Sequence, residues 1–473
     1  MRTLVWFRGK DVRISDHEPL LRAREGGEVI PLFVFDPFFF SAARAKELPH
    51  RIQFLLESIA SLQKNIEALG SRLLLASGRS TEVVPALAKK WKVDRVVAHR
   101  WTEPFARERD AHIAEELSVP FELFEGETLL TPGGLRTQAG GIFSVFTPFA
   151  RAFRRDVEVP RPFATPRTLP PLPKDVTHRD AAFPTLRDLG ILHNPNIVGG
   201  GERAAHDRMK RFFNGAAGKY KTERDRMDHE GTSRLSQDLK FGTLSARTVW
   251  HRARSAHANG ANAQSIATFE NELLWREFTH YSLWERPDLL KKPFRPEFQR
   301  FPWKMNQAWW AAWVNGTTGY PVVDASARQL LRDGFVHNRA RMISASFLTK
   351  HLLIHYQAGE AHYMKWLTDG DWAQNNSGWQ WSAGCGCDAQ PYFRVFNPVS
   401  QGEKFDPAGD YVREYVPELR NLPAEVIHAP WAAKPEVLRR AGVVLGETYP
   451  NPIVDHASAR AKFLSLAKAH LRG

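Results

Sequence analysis

The 473-residue chain has only two cysteines, Cys385 and Cys387. They stand too close together for a useful structural disulfide, and two thiolates alone cannot complete a four-ligand zinc or iron–sulfur site. So little cysteine is expected of a chain that works in a reducing cytoplasm. No window approaches the roughly 18 uninterrupted apolar residues that a membrane span needs. The opening Met1-Arg2-Thr3-Leu4-Val5-Trp6-Phe7-Arg8 meets charge too soon to read as a secretory signal. A GxGxxG fingerprint is also missing: Trp6-Phe7-Arg8-Gly9-Lys10-Asp11 follows the first strand-like run, which excludes a standard dinucleotide site there. No internal repeat is evident.

Positive charge and tryptophan, by contrast, are abundant. Lys and Arg total 65 against 52 for Asp and Glu, a formal net charge of +13, and there are 15 Trp. Hydrophobic residues make up 43% and charged residues 25%, the balance of an ordered globular protein. Single cores stop growing at about 250–300 residues, so two or more domains are expected. The charge points to an anionic partner, nucleic acid first, against the alternative of an inert basic surface. The indoles point to stacking surfaces or a large aromatic cofactor, against plain core packing.

Up to about residue 130, β-rich runs at 4–7, 29–35, 72–75 and 93–98 alternate with amphipathic stretches. The clearest of these is 51–69, with Ile52, Leu55, Leu56, Ile59, Leu62, Ile66 and Leu69 at helical spacing. This pattern predicts a Rossmann-like parallel α/β domain over 1–130. Prolines crowd 160–195, including Pro170-Pro171-Leu172-Pro173, which predicts an extended Pro-rich linker over 131–199. Helical patterns then dominate, at 263–284, 325–331, 339–356 and 362–367, predicting a large all-α domain over 200–473.

Four stretches carry chemistry. Gly231-Thr232-Ser233-Arg234-Leu235-Ser236 suits a phosphate at a helix start, or is a plainly capped helix. Glu272, Trp275 and Arg276 share a helical face that fits a heterocycle, or an interhelical salt bridge beside a packed Trp. Asn338, Arg341 and Met342 repeat that spacing, with a core edge as the alternative. Residues 367–381 mix acids, amides and indoles with Gly, which predicts a loop shaped around a ligand, with Asn375 as polar probe and Trp379 and Trp381 as stacking plates.

In this order, and followed by Pro391-Tyr392-Phe393-Arg394-Val395-Phe396-Asn397-Pro398 and Gln401-Gly402-Glu403-Lys404-Phe405-Asp406, these stretches resemble the photolyase/cryptochrome family. Val5-Trp6-Phe7-Arg8 and Phe146-Thr147-Pro148-Phe149 match it too, so the likeness spans nearly the whole chain. Within the family the chain is similar to microbial cyclobutane pyrimidine dimer DNA photolyases. The resemblance implies an antenna-chromophore domain and a helical domain holding a U-shaped FAD, active as FADH⁻. It places Tyr220, Thr232, Ser233, Leu235 and Ser236 at the FAD phosphates and ribityl chain, with Arg276 among the cofactor contacts. Arg341 and Asp369 match an ion pair against the isoalloxazine, Asp371 a further flavin position, and Asn375 the side chain facing flavin N5. Plant cryptochromes place Asp at that last position; a neutral amide tolerates the anionic reduced flavin, which favours repair over signalling.

Lesion contacts carry over as Glu272, Trp275, Asn338, Met342 and Trp381, and phosphate contacts are assigned to Arg224, Arg339, Arg394 and Lys404. Six-four photolyases resemble the chain but place His at the positions of Asn338 and Met342. The electron relay matches Trp379 and Trp303 at its ends, but Tyr356 replaces the middle Trp, with Trp366 or Trp372 as detours. The resemblance further implies light-driven repair of a flipped-out dimer in UV-damaged DNA by a cytoplasmic monomer. The antenna pigment is expected to be methenyltetrahydrofolate, with a deazaflavin second; Arg100-Trp101-Thr102-Glu103-Pro104-Phe105 marks the region without naming a contact. The rival readings are a blue-light receptor that signals without repair, for which a C-terminal tail after the basic helical stretch 457–471 would be expected, and a cryptochrome of the DASH type.

Overall fold

The computed structural model describes residues 1–470, so Leu471, the end of the expected last helical stretch, lies outside the described residues. Packing divides the chain into two units. One comprises Met1–Gly218, Ser233–Pro287 and Thr368–Asp371; the other comprises Lys219–Thr232, Asp288–Leu367 and the chain from Trp372 on. These bounds differ from the expected 1–130, 131–199 and 200–473, because helices Glu202–Asn214, Ala246–Ala258 and Ala263–Glu285 belong with the α/β unit.

In that first unit, β1 (Arg2–Phe7), β2 (Glu28–Phe35), β3 (Leu74–Ser77), β4 (Arg95–His99) and β5 (Phe121–Phe124) form one parallel sheet in the order β3-β2-β1-β4-β5. The period-2 alternation of β1 explains its two layers. Val5 and Phe7 pack with helix Pro49–Ala68, while Leu4 and Trp6 pack with Val84 and Ile113. Helix Pro49–Ala68 buries Ile52, Leu55, Leu56, Ile59, Leu62 and Ile66, the stripe expected from spacing. β5 escaped sequence reading because Glu122 interrupts its apolar run, Phe-Glu-Leu-Phe, and every residue is half-buried, unlike the equally short edge strand β3, whose Leu-Leu-Ala is buried.

The Pro-rich stretch is laid along this unit rather than free of it. Leu169 N–H donates to the Leu69 carbonyl at 2.7 Å and Ala181 N–H to that of Leu75 at 2.8 Å, and Leu169, Leu189 and Ile191 join the buried layer. Nor is 131–199 all linker, since helix Phe146–Asp156 lies within it, burying Phe149, Ala150, Ala152 and Phe153.

The second unit is helical around one large aromatic core that includes Trp313, Tyr320, Tyr356, Tyr363 and Trp379. Two expectations are corrected there. The helix expected over 339–356 is broken: helix Asn338–Ser346 runs into a π-helical turn at Phe347–His351, Leu353 turns to φ 58°, and a new helix, Tyr356–Trp366, starts under a His355 cap. The segment expected as a loop over 367–381 is mostly helix, Trp372–Ala383. Tertiary bonds override its poor propensity: Asn376 and Gln380, one turn apart, both donate to the Leu289 carbonyl at 3.0 Å, and Trp379 fills the core.

Gly242 ends helix Ser236–Phe241 in the left-handed conformation, φ 62°, where a Cβ would strike the Lys10 carbonyl. Gly242→Ala is expected to destabilise the protein by about 2–4 kcal/mol, combining left-handed strain and overpacking, as read by urea unfolding.

Candidate functional site

The α/β unit encloses a buried ion cluster. Lys10, just beyond β1, places Nζ 2.8 Å from Glu103 and 3.4 Å from Asp371, and also contacts Glu127; Lys240 lies 3.3 Å from Glu103. All these side chains are buried. Burial alone would pull the Lys10 ammonium down, but Glu103, Glu127 and Asp371 together hold it well above its ordinary value. Burial likewise opposes the charge on Asp371, yet Lys10, His280 and Lys240 keep it well below the carboxylate range. His280 goes the other way: burial pushes it to about 4, and its Nδ1 meets the Thr102 hydroxyl at 2.8 Å.

Two groups in this unit have metal-like composition, and neither has a metal site's chemistry. Glu127, His280 and Asp371 converge, but the Lys10 ammonium already serves two of them. Asp11, His17 and His99 also converge; there His17 Nδ1 accepts from Leu20 N–H at 3.1 Å, so the ring's proton sits on Nε2, facing Asp11. A protonated nitrogen is no ligand.

Arg276 turns inward to this cluster. Buried, it donates to the Glu127 carbonyl at 2.7 Å, so it parts company with Glu272 and Trp275, the half-buried partners whose face it was expected to share. Next to it, Glu277 accepts from Leu129 N–H at 2.8 Å and Leu130 N–H at 3.1 Å, and burial pushes its carboxyl up to about 7. Trp275 is held as a fixed plate: Phe146 stacks on it at 3.8 Å with the rings 7° from parallel. Asp369 is buried in the same unit.

The hydroxyl-rich hexamer passes from one unit to the other between Thr232 and Ser233. Arg234 is left-handed, φ 53°, and Leu235 follows at φ −100°, ψ 2°. Such alternation aims successive backbone N–H groups the same way, as anion nests do. Ser233 and Ser236 stay half-buried while Leu235 is fully buried. In the helical unit, Thr232 is half-buried, and Tyr220 is buried with the Arg224 guanidinium 5.6 Å over its ring.

Also in that unit, Asn338 Nδ2 lies 3.8 Å from Met342 Sδ, so these two do share a face. Arg341 Nε donates to the Val336 carbonyl at 2.8 Å. Asn375 Nδ2 donates to the Glu360 carbonyl at 3.0 Å, which fixes the amide and leaves Oδ1 as its acceptor; burial raises the Glu360 carboxyl to about 7. Trp381 is half-buried.

Trp379 lies against Gly359, where a Cβ would collide with its ring. Among the described residues its ring contacts are Tyr363 at 5.1 Å and Trp313 at 6.0 Å; Trp313 stacks in turn on half-buried Trp310 at 5.5 Å. Tyr356 stacks on His355 at 4.7 Å, and His355 meets Trp303 at 5.5 Å. The Tyr356 hydroxyl is buried without a hydrogen-bond partner, and burial drives its acidity far from neutrality. Trp366 and Trp372 are half-buried.

Three of the four expected phosphate contacts gather around Phe405. Arg339 covers its ring at 4.3 Å and Lys404 at 5.2 Å, while Asp225 takes Arg339 at 2.8 Å and lies 3.9 Å from Arg224. Arg394 stands apart, its carbonyl bound by Lys350 Nζ at 2.9 Å, next to Phe393, whose ring is 60% exposed. Sequence reading missed Lys10, Glu127, His280 and Trp313. The only signal for Lys10 and Glu127 was charge just past strand ends, and for Trp313 the cluster Trp309-Trp310-Ala311-Ala312-Trp313; His280, inside helix Ala263–Glu285, carried none.

This geometry has known counterparts. The family model described as DNA photolyase matches residues 3–170, and that described as the FAD binding domain of DNA photolyase matches 269–469. A deoxyribodipyrimidine photo-lyase of Agrobacterium fabrum is 40% identical over 475 residues, covering 98% of this chain and 96% of the relative. The crystal structure of a bacterial class III photolyase from Agrobacterium tumefaciens superimposes with a TM-score of 0.93 at 38% identity, covering 100% of this chain and 98% of that one. That of a Synechocystis cryptochrome does so with 0.91 at 30% identity, covering 98% and 99%. The chain belongs to the DNA photolyase family, and its helical portion is that family's FAD-binding domain.

Lys10→Met would strand three carboxylates. A loss of about 3–5 kcal/mol in unfolding free energy is expected, the cost of breaking a buried ion network on one side.

Proposed function

We propose that the protein repairs ultraviolet-damaged DNA in the light, with the activity of a deoxyribodipyrimidine photo-lyase: a carbon–carbon lyase that splits cyclobutane pyrimidine dimers. The observation that carries this reading is the Glu272–Trp275 face. A carboxylate and a half-buried indole stand one turn apart on one helix, with Phe146 stacked on the indole at 3.8 Å. A flipped-out pyrimidine dimer needs such a stacking wall and a polar group for its edge. Asn338 and Met342, in contact with each other, supply a second polar and apolar pair, and Trp381 a further indole.

FAD, bound in its reduced form FADH⁻, supplies the light-driven electron donation. The chain's part is to hold and orient. The Arg234 nest with Thr232, Ser233, Leu235 and Ser236 suits the phosphates and ribityl chain, and Tyr220 is proposed as a further contact of the same cofactor. Arg341 and Asp369 carry opposite charges suited to the polar edge of the ring system. Asn375, pinned through Nδ2, presents a neutral amide oxygen that leaves the negative charge of FADH⁻ in place. Asp371 and Arg276, proposed as further cofactor contacts, are held by the ion cluster: Asp371 pairs with Lys10 and Arg276 donates to the Glu127 carbonyl. Arg224, Arg339, Arg394 and Lys404 bind phosphates without reading sequence. A folate-type antenna, with a deazaflavin second, is proposed for the α/β unit, and the protein is proposed to work as a cytoplasmic monomer. No described helix is long and apolar enough to cross a membrane.

Illumination of the reduced holoprotein with dimer-containing duplex DNA is expected to restore intact thymines. If none are restored, the repair reading falls and a blue-light receptor takes its place. For reduction of the oxidised cofactor, Trp379→Phe is expected to abolish photoreduction while pre-reduced enzyme still repairs. Between the inner branches, Trp313→Phe is expected to slow photoreduction more than Tyr356→Phe, because Trp313 is the indole among the rings that contact Trp379. Transient absorption of the two variants checks this, and a larger loss in Tyr356→Phe returns the relay to Tyr356 and Trp303.

A further inference from the structure

Helix Phe146–Asp156 buries one face and presents Pro148, Arg151 and Arg155 on the other. Ahead of it, a tight turn is closed by Thr137, whose N–H donates to the Gly141 carbonyl at 2.9 Å and whose hydroxyl accepts from Gly141 N–H at 3.0 Å. Between turn and helix lies an open groove of about 510 Å³. Arg136, Arg151 and Arg155 line it, and no acidic side chain does. Glu285 holds Arg136 at 2.8 Å and Asp156 holds Arg155 at 2.7 Å, whereas Arg151 is exposed with no ion-pair partner among the described residues. Two apolar side chains, Ile142 at 38% and Val145 at 43% exposure, complete the rim.

We propose that this groove receives the sugar–phosphate backbone of the damaged strand beside the lesion, an interaction surface additional to Arg224, Arg339, Arg394 and Lys404. The inference rests on the reading of Trp275 as a lesion contact. Val145 immediately precedes Phe146, the ring stacked on Trp275, so the groove begins one residue from the wall that faces the flipped base. The floor is rigid there: Phe143 N–H donates to the Tyr281 hydroxyl at 3.0 Å and the Phe143 ring packs on Phe149. Arg154 ties the helix to the lesion-facing one by donating to Asn271 Oδ1 at 2.8 Å. Arg151 and Arg155 stand one turn apart, about 6 Å along the helix, so their guanidiniums serve successive phosphates in line. The exposed Ile142 and Val145 suit the deoxyribose faces between phosphates. A second copy of the chain fits poorly, because a two-fold contact would set arginine against arginine.

The test uses FAD-loaded Arg151→Glu and Arg151→Glu/Arg155→Glu, with Arg187→Glu, an exposed arginine outside the groove, as the charge control. Dissociation constants for a dimer-containing duplex are measured across a salt series, with flavin absorbance and circular dichroism confirming the fold. Arg151→Glu is expected to raise Kd about tenfold at low salt and to flatten the slope of log K against log salt by about 1, the loss of one phosphate contact; the double variant flattens it by about 2. KM for repair is expected to rise more than kcat falls. The proposal is overturned if both variants keep the parental Kd and slope, or if Arg187→Glu weakens binding as much as Arg151→Glu. It is also overturned if sedimentation shows a parental dimer that Arg151→Glu dissolves. If the parent itself restores no thymines, the repair reading fails first; a parent that repairs beside variants that bind normally sinks the groove alone.

Discussion

One buried ammonium organises the α/β unit. Lys10 lies just past β1, Glu103 follows β4, Glu127 follows β5, and Asp371 comes from the tetrapeptide Thr368–Asp371. Four segments distant in sequence are thereby drawn to the carboxyl ends of the strands. None of these charges has water to fall back on, so each is tolerable only while the others are present. Arg276 and Glu277 extend the same logic outward, fixing the Glu127 carbonyl and the Leu129–Leu130 amides. The helix that carries Arg276 also carries Glu272 and Trp275, so the pair proposed to face the lesion rides on a helix anchored by the ion cluster.

The α/β layout was legible because burial imposes its period on the sequence. β1 alternates between two layers and helix Pro49–Ala68 repeats every 3.6 residues, so four of five strands and the main helix stood out; β5, half-buried throughout and broken by Glu122, shows no apolar run. The helical unit was legible in composition but not in its breaks. Leu353 adopts a left-handed backbone that no residue type there announces, and helix Trp372–Ala383 forms from poor helix formers because Asn376 and Gln380 find carbonyls far away in sequence. Resemblance alone assigns the individual site residues, which stand as proposals, and spacing misled at Arg276, where one face of a helix is shared between core and surface.

What stayed hidden is what depends on long-range pairing. Lys10 and Asp371 are 361 residues apart, and no local pattern links them. The same holds for Phe146 on Trp275, a stack between two helices that turns a half-exposed indole into a fixed surface. A loose Trp would pay rotamer entropy on each encounter with a base, whereas a clamped one has already lost it. Preorganisation of this kind, not the count of indoles, separates a stacking wall from ordinary packing.

The replacement of an indole by Tyr356 in the inner relay position is intelligible in these terms. A phenol that loses an electron must also lose its proton, and the Tyr356 hydroxyl is buried with no acceptor among the described residues. An indole keeps its proton more readily, and Trp313 Nε1 already donates to the Ser344 hydroxyl at 3.1 Å and its carbonyl at 3.3 Å, neutral acceptors that hold the proton without taking it. Trp379, Trp313 and Trp310 form a contiguous run of rings from the core to a half-buried position. If the proposed relay runs through these rings, the middle of the other route can be a tyrosine without interrupting electron supply.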